Sequence, residues 1–177
     1  MNSLIHKLGK LHYILLYFFL FSWLFVRSYN DISNFRYTHY LFNYEHEFLK
    51  RGFVGEILSL TFENVNFGIV KVISLVFLVT LSVVLFNIFV TGFNKKPETS
   101  KLIFSIMAFT SPFTIQHFIY DIGRFDIINL IIALLCFFII EKFYKKILLV
   151  FVLIGSLMFV MILIHEAAFF MFVPPII

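Results

Sequence analysis

A single cysteine, Cys136, lies inside an apolar run, so the chain has neither a disulfide partner nor a second thiolate for a metal. Its thiol reads as a small buried hydrophobe. Charge is scarce too, at 14% of residues, and a soluble domain of 177 residues needs a far more charged surface than that. No glycine-rich phosphate loop, nucleophile elbow or paired-cysteine motif occurs, which removes the usual supports of soluble nucleotide chemistry. Internal repeats and low-complexity segments are missing as well. The net charge of +4 comes from lysines in short loops between apolar runs. They act as topology signals, and no nucleic-acid partner is implied.

What fills the chain is hydrocarbon: 61% of residues are hydrophobic and 27 are Phe, with a mean hydropathy of +0.97. This predicts an all-α fold, a polytopic transmembrane helix bundle forming one integral membrane domain over 1–177. At about 1.5 Å of rise per residue and a core about 30 Å thick, the runs that serve as spans are 11–26, 72–90, 102–119, 125–143 and 147–164. The first follows Lys7 and Lys10 and carries Phe25, Val26 and Arg27 where a peptidase needs small residues. It reads as an uncleaved signal anchor with a cytoplasmic N-terminus. Lys95, Lys96 and Lys101, then Lys142, Lys145 and Lys146, mark cytoplasmic turns.

The polar stretch 27–71 is then an external loop. Within it Phe53, Ile57 and Leu60 share one helical face while Glu56, Ser59 and Glu63 share another, which predicts an interfacial amphipathic helix. The competing placement is the outer part of a tilted second span. Pro112 is expected to kink the run 102–119 and free carbonyls near Gln116 and His117. The closing run 167–177 is too short for a crossing, which predicts a chain cut inside a span, with more spans in a complete protein.

Three charged clusters interrupt the hydrocarbon: Glu45-His46-Glu47 with Lys50-Arg51, Asp121 with Arg124 and Asp126, and His165-Glu166. Loop by loop, the lysine pattern puts all three on one external face. A charge at hydrocarbon depth costs about 2.5 to 3.5 kcal/mol, so such residues pair or line a wet cavity. Each cluster also has a plain structural role. Glu45-His46-Glu47 suits a solvated loop, Asp126 can cap a helix, and Lys50-Arg51 can hold lipid head groups. The chemical alternatives are a carboxylate base at Glu45 or Glu47 and a phosphate clamp of Arg51 with Lys50. His165 can bridge a carboxylate and a hydroxyl near neutral pH. Phe169 stands where a zinc-protease helix would need a second histidine, so no metal site is expected there.

The strings Tyr44-Glu45-His46-Glu47-Phe48-Leu49-Lys50-Arg51-Gly52-Phe53-Val54-Gly55, Asp121-Ile122-Gly123-Arg124-Phe125-Asp126 and Ile164-His165-Glu166 look like motifs of polytopic proteins from bacterial surface-polysaccharide clusters. O-antigen and capsule polymerases are among them. The layout is also similar to lipid-linked glycosyltransferases of the GT-C class.

The resemblance implies a multi-pass protein of the bacterial cytoplasmic (inner) membrane that transfers sugars from a polyprenyl-phosphate or polyprenyl-diphosphate donor on the external face. Its partners would be membrane lipid and that lipid-linked saccharide, with no cofactor and the need for a divalent metal left open. Carried onto this chain, Glu45 or Glu47 would be the base, and Arg51 and Arg124, with Lys50, would hold the departing phosphate. Asp121, Asp126, His165 and Glu166 would orient sugar hydroxyls or the arginines. Two other classes stand beside it: a transporter or flippase fragment whose charges line a path, and a non-catalytic membrane subunit.

Overall fold

The computed structural model describes residues 2–45, 51–91, 99–112 and 114–167, without the side chains of 2–11, 89–91 and 99–102. His46, Glu47, Lys50, most of the 93–101 turn and the closing apolar run from 168 lie outside the described residues. Every regular element described is helical: α1 (Asn2–Ser28), α2 (Asn34–His39), α3 (Gly52–Thr61), α4 (Phe67–Thr91), α5 (Thr99–Thr110), α6 (Ile115–Tyr120), α7 (Asp126–Phe143) and α8 (Ile147–Ile164).

Short polar residues set several starts. The Ser33 hydroxyl accepts the Arg36 N–H at 3.3 Å and caps α2, while the Asn66 amide oxygen accepts the Ile69 N–H at 2.9 Å at the head of α4. α4 and α8 are the two described helices long and apolar enough to cross a membrane, over Phe67–Ile88 and Ile147–Ile164. Only 22% and 11% of these segments are buried inside the protein. On α8, Leu148 and Phe151 are more than three-quarters exposed, at 76% and 77%. Apolar surface left so bare has lipid as its natural cover.

The run 102–119 is two helices rather than one kinked span. Proline has no N–H for the ladder, and its ring crowds the preceding turn, so α5 stops at Thr110 ahead of Pro112. The freed carbonyls lie earlier than the sequence suggests. The Thr114 hydroxyl sits 2.6, 3.1 and 3.0 Å from the carbonyls of Ala108, Phe109 and Ser111 and offers its single proton to that group.

The chain folds as two compact units, Met1–Asp31 with Leu78–Ile122 and Ile32–Phe77 with Gly123–Ile177. In the first, α6 packs on α1 and α5. Tyr17 is buried there, donating to the Ser105 hydroxyl at 2.6 Å and standing edge-on to Phe86 and Phe109. In the second, the α7–α8 hairpin closes around Ala133, Cys136 and Met161, flanked by Ile132, Ile140, Ile154, Leu157 and Met158. α3 packs against α8. Tyr40, fully buried, has its hydroxyl 3.3 Å from that of Ser74 and its ring edge-on to Phe125. Each unit thus buries one tyrosine hydroxyl against one helix serine, because a polar atom taken from water needs a partner.

Candidate polar site

The second unit gathers members of all three charged clusters. The first comes from the segment leading into α3. Arg51 is the described non-glycine residue with a left-handed backbone, at φ 67° and ψ 10°, and it stands at the N-cap of α3. A β-carbon disfavours that region by roughly 1–2 kcal/mol, so packing must hold Arg51 there. Gly52 and Gly55 show how. A β-carbon on Gly55 would overlap the Phe42 carbonyl, and one on Gly52 would come within 2.7 Å of the Tyr44 ring. The backbone before the site therefore lies directly against α3. The Glu56 carboxylate fixes it by accepting the Tyr44 N–H at 2.9 Å.

The held guanidinium meets the end of α8. Arg51 Nε and Nη2 donate to the two oxygens of Glu166 at 3.3 and 3.2 Å, a two-pronged contact between half-exposed side chains. α8 ends at His165, whose extended backbone at φ −159° turns the chain so that Glu166 comes to lie against α3. The His165 N–H closes on the Met161 carbonyl at 3.0 Å, and its Nδ1 accepts the Ala167 N–H at 3.3 Å. That leaves Nε2 as the protonated nitrogen of the neutral ring.

The third contribution is the turn before α7. Gly123 takes a φ of 92°, which a side chain would strain, with Ile32 packed over it. Behind it, Arg124 Nε and Nη2 both reach Asp126 Oδ2, at 2.8 and 2.6 Å. Asp126 does not cap α7, as the sequence suggested. Phe125 occupies the N-cap, and Asp126 lies in the first turn, where its charge complements the helix dipole and matches Arg124.

These groups feel one another. Arg51's hydrogen bonds hold the Glu166 carboxyl below its usual range. Burial lowers the His165 pKa, and the Arg51 charge lowers it further; Asp126 and Glu166 pull it up and Arg124 pulls it down. His39 is lowered by burial, then by Arg51 and His165. Burial raises the Tyr40 hydroxyl to about 12, against the opposing pull of its Ser74 hydrogen bond. Among the described residues the arrangement is two arginines, two carboxylic acid side chains and two imidazoles, both imidazoles held below their ordinary value. Among the described residues no three His, Cys, Asp or Glu side chains converge as a metal site.

Other sequence candidates fall elsewhere. Glu45 is exposed, its backbone N–H on Asn43, and Asp121 ends α6 in the first unit, its N–H on the His117 carbonyl at 2.8 Å. The sequence does not single out His39, Tyr40 or Asn129, and it marks Glu56 only as part of the polar face of a helix. His39 ends α2 and Tyr40 caps it, in an aromatic-rich stretch where nothing in the sequence marks them. Asn129 did leave a signal, as an amide within the apolar run of α7. It is fully buried, and neither its amide nitrogen nor its oxygen has a hydrogen-bond partner among the described residues.

Residues 10–173 match a protein family described as uncharacterised membrane protein Rv1490. No curated protein and no solved structure matches the chain.

Proposed function

The chain belongs to this family of membrane proteins, and we propose that it is a polytopic transferase acting on polyprenyl-phosphate-linked sugars at the external face of a bacterial inner membrane, in the making of surface polysaccharide. One observation carries the reading: two arginines, each already bonded to a carboxylate, share a cluster with His165. An arginine that donates its Nε and Nη2 hydrogens to a carboxylate presents the same fork to a phosphate.

Exchange is then the chemical step that the cluster performs. The donor phosphate takes the forks of Arg51 and Arg124, and Glu166 and Asp126 are released. The acceptor hydroxyl attacks the anomeric carbon, its proton passes to Glu166, and the bond to the lipid phosphate breaks with its electron pair on the phosphate. The arginines stabilise that charge as it develops, and attack from the opposite face inverts the anomeric centre. His165 donates its Nε2 hydrogen to a sugar hydroxyl. Glu166 replaces Glu45 as the preferred base because it lies within the cluster and Glu45 is exposed.

The test is transfer of labelled saccharide from a polyprenyl-phosphate donor by membranes holding the protein. Arg124→Ala and Glu166→Gln each stop transfer while the protein stays inserted. Normal surface polysaccharide in both variants overturns the reading. Reporter fusions after Phe93, Tyr120 and Tyr144 check the side, and an external Phe93 refutes the proposed orientation.

A further inference from the structure

The first unit holds a cavity of about 330 Å³ lined by Arg27, Ser28, Pro112, Gln116, His117 and Tyr120. It forms where α6 packs beside the last turn of α1. Its volume is at the small end of ligand pockets, which run from roughly 300 to 1,000 Å³. The lining is chemically one-sided. The lining residues carry a guanidinium, an imidazole, an amide, a phenol and a hydroxyl, and no described carboxylate lines the space. All five groups can donate hydrogen bonds, and the one permanent charge is positive.

Depth points to the source of the anion. Arg27 ends an apolar helix, His12–Ser28. Trp23 one turn earlier is 56% exposed, and Tyr120 in the cavity wall is 57% exposed. Amphipathic aromatics beside a terminal arginine occupy the head-group level of a bilayer. The break at Pro112 supplies the space, since a continuous helix over 102–119 would leave α6 no freedom to turn His117 and Gln116 toward α1.

We propose that this cavity is a binding site for a phosphate group, with Arg27 as its charge partner and Gln116, His117, Tyr120 and Ser28 as hydrogen-bond donors. The bilayer depth makes an anionic phospholipid head group the expected bearer. The site shares no residue with the arginine–carboxylate cluster and is independent of the transferase reading.

The experiment uses the full chain in nanodiscs of phosphatidylcholine, with or without phosphatidylglycerol, and in phosphatidylcholine discs with millimolar inorganic phosphate. Thermal unfolding and native mass spectrometry report stabilisation and retained lipid. Phosphatidylglycerol raises Tm and stays bound. Arg27→Gln weakens that retention about tenfold, the weight of one charge-assisted hydrogen bond, and His117→Ala weakens it less. Both variants keep the wild-type Tm in pure phosphatidylcholine, which separates lost binding from lost fold. Arg51→Ala, in the other unit, retains the lipid as the wild type does. Equal stabilisation by inorganic phosphate, lost in Arg27→Gln, keeps the phosphate site and makes its natural ligand soluble. Lipid retention unchanged in Arg27→Gln, or no response to either source, overturns the proposal.

Discussion

The two units handle positive charge in opposite ways. In the second, Arg51 and Arg124 are each matched by a carboxylate, Glu166 and Asp126, and the cluster is balanced before any ligand arrives. In the first, Arg27 opens onto a cavity that no described carboxylate lines. A balanced cluster suits exchange, because an incoming phosphate releases a carboxylate that can then take a proton. A cavity whose described lining carries one arginine and no carboxylate suits retention. The contrast shows why counting arginines near a membrane surface says little about function until their partners are known.

The sharpest way to break this contrast is kinetic. Arg51→Ala is expected to cut sugar transfer on the order of 10²–10³-fold, the usual loss when a donor to developing charge is removed. Tyr17→Phe in the first unit removes one buried hydrogen bond, worth about 1 kcal/mol of stability, and leaves transfer unchanged. Equal loss of transfer in both variants, measured with labelled donor in membranes, would dissolve the division between an exchanging unit and a retaining one.

Next in size is a backbone effect. Gly55→Ala forces a methyl into the Phe42 carbonyl and is expected to destabilise the second unit by about 1–3 kcal/mol or more, with loss of transfer. Gly155→Ala on α8 meets nothing within 4 Å and serves as its neutral partner. Thermal unfolding of the two variants in one detergent reads the difference, and equal midpoints would show that the close approach at α3 does not hold the cluster.

Asn129→Leu is expected to work in the other direction. Replacing an unpartnered buried amide by an apolar side chain of similar size recovers a desolvation cost of about 1–3 kcal/mol, so Tm rises. A fall in Tm would show that the amide has a partner in the membrane. Transfer measured in the same variant then shows whether that partner is substrate.

The smallest effect is on pH. His39 and His165 both lie below the ordinary histidine value of 6.5. As pH falls below 6.5, the unfolded chain takes up protons before the folded one, so stability falls through the folded-state values. Glu166 is also lowered, from 4.5, and adds a second loss below that pH. Tm followed from pH 7.5 to 4 is expected to drop in two stages, and His39→Gln with His165→Gln flattens the first. A first stage that survives both substitutions would place its origin outside the cluster.

Much of the helical layout was legible because hydrophobic runs report on single elements. α8 occupies the run from Ile147 to Ile164, and α3 falls on the amphipathic stretch near Phe53. Pro112 was legible as a disturbance, but a local rule does not tell a bend from a break. The answer depended on Thr114, whose hydroxyl rewards the break. The division into two units was invisible, since each joins two separated segments. In the cluster, the charged residues announced themselves by contrast with hydrocarbon, while their pairing did not. Nothing near Arg51 in sequence points to Glu166. The left-handed backbone of Arg51 was equally hidden, because glycine is the residue that usually marks such a position.

The Arg51–Glu166 contact joins residues 115 positions apart, and that separation has a consequence for biogenesis. A ribosome delivers Arg51 long before α7 and α8 exist, and closing so long a loop comes late. During that interval the arginine has no Glu166 to match it, and head-group phosphates can hold it. On the proposed reading, arrival of the α7–α8 hairpin would exchange lipid for carboxylate at Arg51. Assembly would thus rehearse, in reverse, the phosphate-for-carboxylate exchange proposed for the finished protein.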